Sequence, residues 1–327
     1  MTSSLLVTGG AGFLGSHLAE RLLAEGVRVL ALDDLSTGVR ANVAALEERP
    51  DFELTVASAM DAEVVERLVG QVDGVVHLAA AVGVKRIVDR PVSTIVTNVE
   101  ATRVVLEAAA ERGVPVLLAS TSEVYGKSDA VPFREDADVS LGATTRSRWS
   151  YACSKALDEW LALAYRRERG VPVRICRFFN VVGPRQVGRY GMVLPSFARQ
   201  ALRGEPLTVY GDGRQSRCFA HVHDVVDAVV RLLRCPAAEG EVVNVGSDVE
   251  TTILALAERV RDAAGSSAEI MLVPYEEAYA EGFEDMRRRV PDLSKLRELV
   301  GFEPRTSLDE IVADVLASQR EALAAGR

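Results

Sequence analysis

A short apolar run near the start of the chain breaks into spaced glycines: Leu5-Leu6-Val7-Thr8-Gly9-Gly10-Ala11-Gly12-Phe13-Leu14-Gly15-Ser16-His17. Followed by a helical pattern, this predicts strand, tight turn and helix in immediate succession. Gly9 permits the turn after the strand. Gly12 leaves the main chain open to the oxygens of an anion, and Gly15 lets the helix lie close to the strand. The helix N-terminus adds unbonded N–H groups and the positive end of a dipole, so the segment reads as a cradle for a pyrophosphate.

The same alternation continues along the first half. Strands are expected at Leu5–Thr8, Val27–Leu32, Phe52–Ala57, Gly74–Leu78, Val116–Ser120 and Val173–Phe178. Helices are expected at Phe13–Glu25, Asp61–Leu68, Val92–Arg112 and Ser150–Arg169. The strands are almost continuously apolar, as when helices cover both faces of a parallel sheet. The expected fold is α/β, a Rossmann-type doubly wound parallel sheet with a smaller C-terminal α/β lobe. After Asn180, Gly- and Pro-rich loops separate shorter elements: helices Leu194–Leu202, Val222–Leu233, Ile253–Ala264 and Leu308–Ala324, and strands Leu207–Tyr210, Glu241–Val245 and Ile270–Pro274. We divide the chain into residues 1–180 and 181–327, with elements at about 221–248 returning to the first unit's sheet.

Of the 327 residues, 48% are hydrophobic, enough for a sizeable core, and the net charge of −9 argues against a nucleic-acid surface. Cys153, Cys176, Cys218 and Cys235 are widely spaced, without a C-x-x-C pair. A reduced, cytoplasmic protein without disulfides or a metal site is expected. No stretch approaches the roughly 20 apolar residues that span a bilayer, and the first apolar run is too short for a secretory leader.

Asp33 follows Gly15 by 18 residues, at the end of the second strand. A carboxylate there accepts from the ribose hydroxyls of an adenosine and repels a 2′-phosphate, so NAD is preferred over its phosphorylated form. Asp34 and the loop Ser36-Thr37-Gly38 lie beside it. Further on, Tyr151-Ala152-Cys153-Ser154-Lys155 opens a helix and sets Tyr151 and Lys155 on one face. A phenol has an ordinary pKa of about 10 and is a poor base at neutral pH. A neighbouring ammonium favours the phenolate and makes it a proton acceptor. Upstream, Ser120-Thr121-Ser122-Glu123-Val124-Tyr125-Gly126 follows a strand at the carboxyl edge of the sheet. There Thr121 or Ser122 can bond a substrate oxygen, and Glu123 is a candidate acid or base.

Together, TGGAGFLGSH, Asp33, HLAA at residues 77–80, STSEVYG, Y-x-x-x-K and RFFNVVGPR at residues 177–185 resemble the extended short-chain dehydrogenase/reductase family. More narrowly they resemble its NAD-dependent nucleotide-sugar epimerase/dehydratase branch. The resemblance implies tightly held NAD, with Phe13, Leu14, Ser58, Ala59, Leu78, Ala79, Ala80 and Asn98 joining Gly9, Gly12, Gly15, Asp33, Tyr151 and Lys155 around it. It implies a nucleotide sugar as substrate, met by Lys85, Asn180, Val193, Arg217 and Arg289. It also implies a homodimer joined through a four-helix bundle built from residues 92–112 and 150–169. Ser58-Ala59 departs from an acidic residue usual near the adenine. Cys218 and His221 replace a usual Asp and an apolar residue, and His221 and His223 read as ordinary helix-start residues.

In this branch chemistry begins with hydride removal from carbon 4 of the sugar, giving a 4-keto intermediate. Val82-Gly83-Val84-Lys85 and Gly183–Met192 resemble 4-epimerases, whereas Thr121-Ser122-Glu123 and Arg148-Trp149-Ser150-Tyr151 resemble dehydratases and UDP-glucuronate decarboxylases. The 4-epimerase is preferred. The alternatives are decarboxylation or 4,6-dehydration through the same intermediate, and a non-catalytic NAD-binding regulator.

Overall fold

Leu5 and Val7 pack with Val29, Val76, Leu117, Cys176 and Val243 on one side of a sheet, while Leu6 packs with Leu30, Val75, Leu118 and Ile175 on the other. Successive strand residues point to opposite faces, and here both faces are buried, which is why the strands read as unbroken apolar runs. The computed structural model describes residues 4–83, 89–186, 188, 192–274, 277 and 286–324. Lys85 lies outside the described residues.

The sheet holds β1 (Ser4–Thr8), β2 (Arg28–Asp33), β3 (Phe52–Val56), β4 (Val75–His77), β5 (Val116–Thr121) and β6 (Val173–Phe178), with β11 (Val242–Val245) at its edge. Its order is β11-β6-β5-β4-β1-β2-β3, and every pairing is parallel. From β1 the chain runs outward through β2 to β3, then resumes at β4 on the opposite side of β1. The crossovers on either side of β1 therefore diverge, and a crevice opens at the carboxyl ends of β1 and β4, where such sheets bind ligands. Helices α1 (Phe13–Ala24), α6 (Val222–Arg234) and α8 (Ser294–Val300) supply the first face. Helices α2 (Ala62–Val69), α3 (Pro91–Arg112) and α4 (Trp149–Arg169) supply the second.

Start and stop signals explain the long helices. Pro91 opens α3, and Gly113 and Gly170 end α3 and α4 in left-handed conformation. The two helices pack along each other, and Val92, Ile95, Val96, Leu157 and Trp160 remain exposed. The second lobe packs α5 (Val193–Arg203), α7 (Ile253–Ala264) and α9 (Leu308–Ala324) against the parallel pair β8 (Leu207–Tyr210) and β13 (Ile270–Val273). Beside it, β9 (Ser216–Cys218) lies between β12 (Glu250–Thr252) and β14 (Arg288–Arg289).

The short strands β9, β12 and β14, the pair β7 (Val181–Val182) with β10 (Ala220–His221), and helix α8 were not foreseen. Two or three residues are too few to show a period. Asp33, expected at the end of the second strand, is the last residue of β2. No helix among the described residues is long and apolar enough to cross a membrane.

Candidate active site

The glycine loop closes on the end of β4. A side chain at Gly9 would stand 3.0 Å from the Ala79 nitrogen, and Gly9 has φ +69°. A Cβ at Gly15 would stand 2.1 Å from the Gly9 carbonyl oxygen. Only glycine permits either approach. Helix α1 begins with Gly12 as its cap, with no side-chain cap bond and no acidic residue in its first turn. Its N-terminal dipole is therefore open to an anion. Asp33 accepts the Ala11 N–H at 3.0 Å and the Leu35 N–H at 2.8 Å, tying the loop to the end of β2. Burial pushes its carboxyl up, and those N–H groups oppose the rise. Gly38 closes over the carboxylate, 2.6 Å from Asp33 Oδ1 to any Cβ built there. A cradle that excludes side chains, beside a carboxylate at the strand end, fits a dinucleotide such as NAD.

The surrounding expected residues divide. Phe13, Leu14, Leu78, Ala79 and Ala80 are half-buried along this rim, as are Thr37 and Gly38. Asp34 and Ser36 are exposed, the Asp34 carboxylate accepting the Ser36 N–H at 2.9 Å. Ser58 accepts the Met60 N–H at 3.2 Å, and Ala59 is buried in the core. Asn98 is buried behind the rim. Its oxygen accepts the Ala81 N–H at 2.7 Å and its nitrogen donates to Ser154 Oγ at 3.1 Å, so its amide braces the loop after β4 against α4.

At the carboxyl end of β5, Thr121, Ser122 and Glu123 meet the start of α4. The Tyr151 hydroxyl bonds Thr121, and burial followed by Glu123 pushes the phenol above its ordinary range. Lys155 donates to Asp158 Oδ2 at 2.7 Å, a neighbouring carboxylate on the same helix. Ser122 Oγ is buried and has no hydrogen-bond partner among the described residues. Glu123 is ion-paired with Arg148 and lies 3.8 Å from Arg289. Burial works to raise its carboxyl, but Arg148 and Arg289 outweigh that and hold it below its ordinary value.

The arginines come from separate elements. Arg217 and Arg289 are paired across β9 and β14, so both lie at one register position. Arg217 donates to the Ser216 carbonyl at 2.8 Å, and Arg289 donates to Asn180 Oδ1 at 3.4 Å. Asn180 has φ +34°, and its nitrogen donates to the Cys218 carbonyl at 2.9 Å. Val193 opens α5, half-buried. His221 caps α6, accepting the His223 N–H at 3.3 Å, which is the ordinary helix-start role.

Thr121, Glu123, Tyr151, Asn180, Arg217 and Arg289 are thus gathered around one centre, and Gly9, Asp33 and Ala79 around a second. The sequence reading missed Arg148 as a site residue, although its motif was noted, and missed Asp158, whose spacing from Lys155 was a visible signal.

A family model described as "NAD dependent epimerase/dehydratase family" matches residues 5–246. The chain is 41% identical over 322 residues to a UDP-N-acetyl-alpha-D-glucosaminuronate decarboxylase of Bacillus cytotoxicus, covering 98% of this chain and 99% of that protein. It is 40% identical over 307 residues to UDP-glucuronic acid decarboxylase 2 of Arabidopsis thaliana, covering 93% of this chain and 65% of that longer protein. Its structure is also similar to a UDP-glucose 4-epimerase of Thermotoga maritima, with TM-score 0.87, 30% identity, and 98% and 99% of the two chains covered. The chain is an NAD-dependent enzyme and belongs to the NAD dependent epimerase/dehydratase family.

Proposed function

We propose that this enzyme decarboxylates a nucleotide-linked hexuronate, oxidising carbon 4 so that the carbon 6 carboxylate becomes that of a β-keto acid. The observation that carries the reading is the buried cluster in which Arg148 and Arg289 flank Glu123 beside Tyr151. A glutamate held ionised by two guanidinium groups is poorly suited to protonate a leaving hydroxyl, as 4,6-dehydration requires. With Arg217, three buried guanidinium groups lie about Glu123, donors of the kind that suit a substrate carrying both a diphosphate and a carboxylate. The names of the Bacillus and Arabidopsis relatives support the same chemistry.

The roles follow from position. Thr121 holds the carbon 4 oxygen, and Tyr151 takes its proton and later returns it. NAD, when bound, supplies the hydride acceptor. Gly9, Gly12, Gly15 and Asp33 hold the dinucleotide, and Asn180 and Arg217 the substrate diphosphate. Arg289 orients the carboxylate that leaves as carbon dioxide. We read residues 1–180, with the returning elements near 221–248, as the cofactor unit, and the rest as the nucleotide-sugar lobe.

A second reading is the 4-epimerase preferred from the sequence, favoured by the likeness to the Thermotoga enzyme. Incubation with UDP-glucuronate or UDP-N-acetylglucosaminuronate and NAD, followed by NMR and carbon dioxide capture, separates them. We expect one carbon dioxide per nucleotide sugar and a product lacking carbon 6. A product that keeps its carboxyl group and inverts carbon 4 favours the epimerase, and a 4-keto-6-deoxy sugar from a neutral hexose favours the dehydratase. Tyr151→Phe is expected to lose about 100-fold or more in turnover.

A further inference from the structure

We propose that Asp158 is the positioning residue for Lys155: its carboxylate keeps that lysine charged inside the protein and fixes the direction of its ammonium. The inference rests on the reading of Tyr151 and Lys155 as the proton-transfer pair. Lys155 Nζ donates to Asp158 Oδ2 at 2.7 Å, three residues along the same helix. The two side chains are 3% and 0% exposed, so water screens neither charge. A buried ammonium without a counter-charge sheds its proton, whereas a carboxylate in contact makes the charged form the stable one.

Burial pushes the Asp158 carboxyl up, while Lys155, and after it the Thr102 hydroxyl on α3, favour its charged form. Thr102 Oγ1 is 3.3 Å from His77 Nε2, and His77 Nδ1 is 2.8 Å from Thr8 Oγ1. Thr8 Oγ1 accepts the Ala79 N–H at 3.1 Å. Burial, then Lys155, push the His77 pKa down to about 3, so the ring adds no positive charge beside the lysine. The Ala79 backbone in turn lies against Gly9 of the dinucleotide cradle.

The titratable groups around the pair are Tyr151 and Glu159 on α4, His77 on β4 and Glu123 after β5, while α3 presents neutral Thr102 and Asn98. Glu159 is held by Arg177 at 2.7 Å and Glu123 by Arg148. Among the described residues this leaves Asp158 as the counter-charge of the lysine.

Asp158→Asn keeps the shape and removes the charge. In the NAD-loaded enzyme we expect turnover at neutral pH to fall at least tenfold, with the deficit narrowing as pH is lowered and protons return to Lys155. A readout independent of activity is thermal unfolding between pH 7 and pH 10. The folded variant binds fewer protons at Lys155 than its unfolded chain, so its stability deficit narrows as pH rises toward the ordinary lysine value of about 10.4. Adding Lys155→Met to Asp158→Asn removes the unbalanced charge and is expected to recover part of the lost midpoint. If the single variant does not fold, the double variant is expected to fold. A deficit constant with pH and unrelieved by the second substitution overturns the proposal, as does a double variant that fails to fold. Full turnover in Tyr151→Phe would instead overturn the reading of the catalytic pair, and the unfolding result on Asp158 would stand apart from it.

Discussion

Glu123 shows how far a single side chain's behaviour depends on residues distant in the chain. Its partners Arg148 and Arg289 come from the start of α4 and from β14, and they hold its carboxyl low against the upward push of burial. A folded value below the unfolded value of 4.5 means that the cluster stabilises above that pH and loses its contribution as pH falls through the folded value. Glu123→Gln leaves two buried guanidinium groups without that charge. It should destabilise the protein at pH 7 by about 3–5 kcal/mol. Denaturant unfolding at pH 7 and at pH 3 checks this, since the parent and the variant should draw together in acid as the parent's glutamate protonates. Gly15 is the opposite case. A methyl group there meets backbone at 2.1 Å, so the need for glycine was legible from the motif alone. The Tyr151–Lys155 spacing was equally legible, but the orientation of the ammonium was not, because it depends on which carboxylate competes for it.

Helices α3 and α4 were readable almost to the residue, because Pro91, Gly113 and Gly170 punctuate them. Their outer faces say more than their lengths. Val92 is 74% exposed and Trp160 59% exposed, an unusual display of apolar side chains on helices that otherwise seal the sheet. We propose that these faces meet in a second copy of the chain, four helices in all, as the family resemblance implies. Trp160→Glu should shift the protein from dimer to monomer in sedimentation or light scattering, with the circular dichroism spectrum retained. A parent that already sediments as a monomer would remove the four-helix interface from consideration. Strands β9 and β14 of the second lobe escaped detection for a physical reason, whereas β8 and β13 were foreseen. Pairs such as Arg288↔Ser216 and Arg289↔Arg217 are two residues long, so their hydrogen-bonding partners, not any local period, define them.

We propose that the dinucleotide and the nucleotide sugar are held by separate sets of residues, and stability should report this. A ligand present at 100 times its dissociation constant adds about 2.7 kcal/mol to folding. NAD should therefore raise the unfolding midpoint of both the parent and Arg217→Ala, because the glycine cradle is intact in each. UDP should raise the parent's midpoint and shift Arg217→Ala far less. An equal UDP shift in the two proteins would show that β9 takes no part in holding the diphosphate.

The dinucleotide cradle, the strand–helix alternation and the Tyr-Lys spacing could be read from the chain because each is local. Steric need at a glycine, alternation along a strand and i, i+4 spacing on a helix involve residues a few positions apart. The charge state of Glu123, the meeting of Arg217 with Arg289, and the burial of the Lys155–Asp158 pair were decided by tertiary structure. These depend on which strands and lobes lie side by side, and a buried charge takes its properties from whatever the fold brings within a few ångströms, however distant in sequence.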